Sequence, residues 1–370
     1  MESVVEANAE EVFRLVPLII FLLLVILTGI PGNLMVCAVY RKKFTRTSSS
    51  FFIFALATVD LTGCIMISLE VSNVVQQYTF TNAHLCKAII FLELWPLLTS
   101  GCLLIVISVD RYRKVCHPFG WQLSVRYGKY LFAFSVTLSL IFSLPVLFLY
   151  GSTEVQTHVT NMTGTACNIL EEYKESIYSR IFNAMFLLEF VVALTTLTVL
   201  YSLICYKVIK HEKAVRPMKK CTAKREEESE MESDSYSKNA SPSVLSASPS
   251  QQSFQRKPSD LNKGNNRLRG SMVNRRTTTK LTLMMCVISI VFIISYLPYT
   301  ILRLLEVFQQ DFVESMSNAG RACYQTILRT YFLNCAINPF IYCACSSKFR
   351  KDLIGAVRRF FSTTTLNCKG

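Results

Sequence analysis

The chain has 370 residues, of which 51% are hydrophobic and only 17% are Asp, Glu, Lys or Arg, whereas a soluble domain of this size carries about 25% charged residues. Its 39 basic and 25 acidic residues give a formal charge of +14, but the bases fall between apolar runs and form no continuous basic surface, which argues against nucleic acid as a partner and for the bilayer. Nor do the fourteen cysteines describe a secreted disulfide scaffold: Cys37, Cys64, Cys102, Cys205, Cys286 and Cys335 lie inside apolar runs, where a thiol behaves as a small hydrophobe.

Residues 1–13 contain Glu2, Glu6 and Glu10 and no basic stretch, so they read as a short N-terminus and not as a cleavable signal peptide. Crossing a hydrocarbon core of about 30 Å takes about 20 apolar residues in a helix, and runs of that kind occupy 14–40, 49–75, 86–111, 128–150, 178–207, 280–305 and 323–345. The first, with VPLIIFLLLVILTGI, has no charge; the third and seventh carry Glu93 and Arg329, which need an interior or water-facing position. The runs are too long and continuous for the ten-residue alternation of a membrane barrel. The expected fold is an all-α membrane protein, a seven-transmembrane helix bundle over 14–345.

Segments 41–48, 111–129, 207–280 and 346–370 hold 32 of the 39 Lys and Arg residues, which places the N-terminus outside and the C-terminus in the cytoplasm of a multi-pass plasma-membrane protein. Inserted in the bundle, 212–275 reads as a disordered third cytoplasmic loop, with eleven Ser between 229 and 259 and too little apolar surface to offset ordering. It is either a solvated linker or a phosphorylation-controlled segment in which Arg256 and Lys257 direct a kinase to Ser259. Asn161, in an external Asn-Met-Thr sequon, is the credible glycan site, whereas the cytosolic Asn239 sequon should stay bare. After Tyr342, Phe349, Leu353, Ile354 and Val357 recur at helical spacing among Lys and Arg. This pattern predicts an amphipathic eighth helix over 346–359 on the inner leaflet. In the cytoplasmic tail, 360–370, Ser362, Thr363, Thr364 and Thr365 are compact kinase acceptors, and Cys368 is either an acylation site or a free thiol.

Polar residues punctuate the apolar runs. Asn33, Asp60 and Asp110-Arg111-Tyr112 interrupt the first three, and carboxylates at lipid depth are expensive enough to signal function. On the third run, Glu93, Leu97, Ser100, Leu104, Ile107 and Arg111 recur at three- and four-residue steps and form one stripe facing the bundle. The seventh contributes Asn334 and Asn338-Pro339-Phe340-Ile341-Tyr342, in which Pro339 frees a backbone carbonyl.

With Cys86 and Pro298, these residues in this order resemble the rhodopsin-like G-protein-coupled receptors across the chain outside the third internal loop. The resemblance implies an extracellular or intramembrane ligand pocket and a cytoplasmic opening for a heterotrimeric G protein, with receptor kinase and arrestin as further partners. It implies a Cys86–Cys167 disulfide, with Cys323 as the alternative partner. It also implies an allosteric sodium ion, and no other cofactor, held by Asp60, Ser100, Asn334 and Asn338, unless a water-filled polar network stands there. Arg111 resembles the switch arginine held by Asp110, supported by Tyr112, Tyr206, Asn338, Pro339 and Tyr342. Several positions depart from the pattern. Thr278 stands where an acid would form a second lock, Tyr296 replaces a tryptophan, Thr198 replaces a proline, Gly101 replaces a branched aliphatic, and Cys335 replaces a hydroxyl residue.

The ligand-pocket candidates are Glu93, Leu97, Tyr296, Tyr299, Arg303, Arg329 and Tyr331, with Trp95 nearby. This ionic and aromatic set suits a neuropeptide; the alternative is a biogenic amine or other small molecule with Glu93 as counter-ion. A transporter or channel would show paired repeats or a continuous polar path, and a non-signalling scaffold is a further alternative. An enzyme is disfavoured, since His84, His117, His158 and His211 make no HExxH pattern and no G-x-S-x-G elbow occurs.

Overall fold

A computed structural model describes residues 3–157, 159, 162–237, 258–308 and 316–367. The chain opens with α1 (Val4–Arg14), which a capping box between Ser3 and Glu6 starts. Next come α2 (Val16–Tyr40), α3 (Ser48–Val75), α4 (Ala83–Cys116), α5 (Val125–Ser143) and the short α6 (Val146–Leu149). A hairpin of β1 (Tyr150–Gln156) and β2 (Thr163–Ile169) and the short α7 (Glu171–Lys174) lead to α8 (Ile177–Ser237) and α9 (Pro258–Phe308). The chain closes with α10 (Asn318–Ile327), a 3-10 turn at Thr330–Phe332, α11 (Leu333–Cys345) and α12 (Ser347–Asn367).

Six stretches among the described residues are long and apolar enough to cross a membrane: Val16–Tyr40, Ser48–Val75, Ala83–Cys116, Val125–Leu149, Ile177–Lys210 and Thr279–Leu305. They match the first six expected runs. The seventh differs, because the run expected as one helix over 323–345 is divided into α10, a 3-10 turn and α11. Arg329 stands at the break: its Nη1 donates to the Gln325 carbonyl at 3.2 Å and side-chain oxygen at 2.6 Å, and its Nε to Glu70. The guanidinium is thus turned across the bundle, and the backbone there leaves the regular helical ladder.

Two further features lie outside the apolar spans. Helical backbone continues through 211–237 and resumes at 258, inside the segment 212–275 expected to be disordered; KREEESEME consists largely of strong helix formers with opposite charges three and four residues apart. The remainder of that segment lies outside the described residues. The β1–β2 pair adds an antiparallel hairpin to an otherwise helical chain, in register Ser152 to Cys167. It is fastened to the α3–α4 connection by Phe80 N–H to the Thr165 carbonyl, 2.8 Å, and Thr165 N–H to the Tyr78 carbonyl, 2.9 Å.

The main core joins the inner halves of α2, α3, α4, α8, α9 and α11 through Val36, Leu56, Leu103, Ile107, Leu197, Ile288 and Tyr342. Meanwhile Ile20, Leu24, Leu27, Phe134, Leu188 and Ile294 point outward, the apolar surface a bilayer would cover. Close approach at Gly29 seals α2 against α3 and α11, where a Cβ would meet Cys64 Sγ at 2.4 Å and the Ala336 backbone at 3.3 Å. The two termini pack at opposite ends of the bundle. Asn8 of α1 donates to the Val75 carbonyl, 3.0 Å, and accepts from Tyr78 N–H, 2.9 Å. Phe349 of α12 is buried against Tyr40 and Tyr342, and Asp352 pairs with Lys43 at 2.6 Å.

Candidate functional site

Functional side chains gather at three levels of the bundle. At the α1 end, a cavity of about 480 Å³ opens between α3, α4, α8, α9, α10 and the hairpin. Glu93, Leu97, Tyr299, Arg303, Arg329 and Tyr331 line it. Tyr296 lies behind the wall, its ring 5.8 Å from Tyr331 and 4.4 Å from Phe292. Trp95 is not among the lining residues. Cys167 of β2 is joined to Cys86, which starts the cavity side of α4; Cys323, the alternative partner, is a free thiol.

The charged core of this cavity contains a residue that the sequence reading missed. Glu70, buried on α3, accepts from Arg329 Nε at 2.5 Å, and its second oxygen accepts from Asn73 Nδ2 at 3.1 Å. Arg329 contacts Glu70, and Glu93 Oε1 is buried with no hydrogen-bond partner among the described residues. Two buried carboxylates therefore lie near one guanidinium, which contacts Glu70. The missed signal was an isolated glutamate in an otherwise uncharged apolar run, ISLEVSNVV.

Midway through the bundle, Asp60 accepts from Ser100 Oγ at 3.2 Å and Asn338 Nδ2 at 2.6 Å, and Asn334 Nδ2 donates to Ser100 at 3.1 Å. All four are fully buried, and they tie α3, α4 and α11 together. Asn33 extends the network, donating to the Cys335 carbonyl at 2.7 Å and the Gly29 carbonyl at 3.0 Å. The amide oxygens of Asn33, Asn334 and Asn338 have no hydrogen-bond partner among the described residues. A carboxylate, a hydroxyl and spare amide oxygens form a hard-oxygen set that suits a small cation, so the four residues expected to hold sodium fit it chemically.

At the opposite end, Asp110 and Arg111 are both 1% exposed and form an ion pair. Arg111 also donates to Ser49. A third charge joins them: Lys114 Nζ reaches Asp110 at 2.9 Å and Ser49 at 3.0 Å and also donates to Ser48, while Ser48 donates to the other Asp110 oxygen at 3.0 Å. Lys114 follows Asp110 by four residues, one helical turn, so this contact was readable in the sequence; the serines lie more than 60 residues away.

Of the other switch residues, Asn338, Pro339 and Tyr342 are buried in α11, and Tyr112 turns to the loop after α4, its hydroxyl 3.3 Å from His117 Nε2. Tyr206 is not brought to the switch: it is 64% exposed, with Lys210 over its ring. Tyr201, in phase with buried Ala193 and Leu197 at four-residue steps, occupies the inward face instead, its hydroxyl facing Ser289 without regular hydrogen-bond geometry. Asn161 and Cys368 lie outside the described residues, as do the side chains of Ser259, Thr278, Ser362, Thr363, Thr364 and Thr365.

Residues 32–342 match the family 7 transmembrane receptor (rhodopsin family). The chain is similar to neuromedin-U receptor 2 of Mus musculus, 23% identical over 348 residues covering 90% of this chain and 73% of that receptor. It is likewise similar to neuromedin-U receptor 2 of Rattus norvegicus, 23% identical over 359 residues covering 93% and 75%.

Proposed function

The chain belongs to the rhodopsin family of seven-transmembrane receptors, non-enzymatic signalling proteins of the membrane, and on that premise we propose that it binds an extracellular neuropeptide in the outer cavity and activates a heterotrimeric G protein at the other end. The observation that carries the ligand reading is the surplus carboxylate at Glu93 beside the Glu70–Arg329 pair. A buried acid without a partner favours a ligand that brings a cation, an Arg or Lys side chain or an amine. The cavity lining also holds Asn73, Gln76, Gln77, Asn168 and Gln325, amides whose donors and acceptors a peptide backbone can pair with at several points along its length, whereas a simple amine only donates. Likeness to receptors named for neuromedin U supports the same class. A biogenic amine on Glu93 is the second reading.

In this proposal the cavity end and α1 face outward, and Lys43, Lys114 and α12 face the cytoplasm. Asp60, Ser100, Asn334 and Asn338 would hold a sodium ion, whose charge would balance Asp60 and favour the closed bundle. Arg111, released from Asp110, meets the G protein as the inner half of α9 swings out. The domain limits at 14–345, the amphipathic helix at 346–359, the glycan at Asn161, and kinase and arrestin acting through Ser259 and Ser362 to Thr365 belong to the same reading.

The test is a screen of the full-length chain, co-expressed with a panel of Gα subunits, against peptides with and without basic residues and against biogenic amines. A basic peptide should activate, and Glu93→Gln at equal surface expression should weaken its potency by about ten- to a hundredfold, the loss of one charge-assisted contact. Response to amines alone would establish the second reading, and peptide potency indifferent to Glu93→Gln would sink the assignment of that carboxylate.

A further inference from the structure

Where α8 packs against α9 toward the Arg111 end of the bundle, two thiols meet. The contacts of these antiparallel helices step down in register: Tyr201 of α8 faces Ser289 of α9, and one turn further Cys205 faces Cys286, thiol to thiol. Ile204 and Met285, the residues before each cysteine, are both buried in the main core, so the pair sits on a packed seam. Both cysteines are free; Cys205 is exposed and Cys286 is partly buried. Cys64 and Cys335 also lie near one another, but they are 0% and 2% exposed and closed to a reagent from outside. A single thiol in an apolar run is a small hydrophobe; two in contact across separate helices, one of them accessible, can do chemistry.

The seam lies near one edge of the apolar spans. Cys205 precedes the end of Ile177–Lys210 by five residues and Cys286 follows the start of Thr279–Leu305 by seven, a depth of about 8 to 11 Å at 1.5 Å per residue. A small neutral oxidant reaches that depth. On its other side α8 is held against α4, where Cys116 Sγ lies 4.0 Å from the Leu203 carbonyl. A bond between Cys205 and Cys286 confines their Cα atoms to a separation of about 4.4–6.8 Å. It ties the inner half of α9, through α8, to the helix that carries Arg111.

We propose that Cys205 and Cys286 form a reversible disulfide when the protein meets hydrogen peroxide, and that this bond holds the inner half of α9 closed. Cys205, the exposed member, gives up its thiol proton and attacks the peroxide; the O–O bond breaks, hydroxide leaves with that proton as water, and a sulfenic acid forms. The Cys286 sulfur then attacks the Cys205 sulfur, the S–O bond breaks, and the second hydroxide leaves as water with the Cys286 proton. Two thiols are thereby oxidised to one disulfide and one peroxide is reduced to two waters. Exchange with a cytosolic thiol such as glutathione reverses the bond, in keeping with the transient, sensing character of disulfides on that side of the membrane. The effect on signalling rests on the G-protein reading above, whereas formation of the bond does not.

The test uses the purified full-length chain in lipid nanodiscs, treated with hydrogen peroxide, capped with N-ethylmaleimide and digested. Mass spectrometry should find a Cys205–Cys286 linked peptide that dithiothreitol separates. The unfolding midpoint should rise by on the order of 5 °C, because the bond closes a long loop, and Cys205→Ser or Cys286→Ser should each abolish that rise. Recovery of the two cysteines as maleimide adducts or as separate sulfinic acids would overturn the disulfide. For signalling, catalase removes the peroxide before the Gα panel is added; ligand-free coupling should then fall by on the order of fivefold, return with reduced glutathione, and stay unmoved in Cys286→Ser. A linked protein that couples as before would overturn the closing role. Asp110→Asn, which frees Arg111, is the control for coupling: if it couples to no Gα, the G-protein reading fails and the linked peptide alone decides the disulfide.

Discussion

The outer and inner charged clusters are built from the same parts in opposite proportion. At the cavity, Arg329 pairs with Glu70 while Glu93 lies close by; at the other end, Arg111 and Lys114 share Asp110. The outer cluster has an acid to spare and the inner one a base. Each pair is stabilised by close contact, but Glu93 Oε1 at one end and Arg111 Nε at the other are left without a hydrogen-bond partner among the described residues. The bundle thus presents an acceptor to a ligand at one end and a donor to a partner at the other, while Asp60 sits between them in a network of neutral amides and a hydroxyl.

The strongest way to break this comparison is to remove the cation of the outer cluster. Arg329→Met leaves two buried carboxylates uncompensated, and breaking a buried pair from one side costs about 3–5 kcal/mol. Thermal unfolding and surface expression should both fall sharply. Arg329→Lys should recover only part of the loss, because an ammonium cannot span Glu70 and Gln325 as the guanidinium does. An unchanged midpoint in Arg329→Met would mean that the outer cluster contributes nothing to the closed bundle.

Lys114→Met is the matching change at the inner cluster, and its expected effect on stability is smaller, about 1 kcal/mol or less, since Lys114 is partly exposed to solvent. Its signature is functional. With one base removed, Asp110 serves Arg111 alone, and ligand-free coupling to the Gα panel should fall by on the order of fivefold. Coupling that rises instead would show that Lys114 reinforces the Asp110–Arg111 pair and does not compete within it.

Much of this arrangement was legible because it depends on local order along the chain. The six continuous spans followed from apolar length, and the stripe Ser100, Leu104, Ile107 and Arg111 from helical phase. The break at Arg329 was not legible, because it depends on Glu70, 259 residues away in sequence. The inward phase of Ala193, Leu197 and Tyr201 becomes visible only when α8 is packed against its neighbours.

The finest test concerns the neutral group that serves each cluster: Asn73 donates to Glu70 at 3.1 Å, and Ser48 donates to Asp110 at 3.0 Å. Replacing either by alanine removes a hydrogen bond to a charged acceptor, a loss of about 1.5–3 kcal/mol when fully buried and less where solvent can substitute. Asn73 lines the cavity, so water can take its place beside Glu70; Ser48 is buried, and its removal leaves Lys114 and Arg111 to hold Asp110 without it. Asn73→Ala should therefore lower the unfolding midpoint slightly and leave ligand-free coupling where it was. Ser48→Ala should change coupling as well as stability, because in the proposed mechanism Arg111 is released from Asp110. Equal effects of the two substitutions on coupling would erase the distinction between a cluster that receives a ligand and one that restrains a switch.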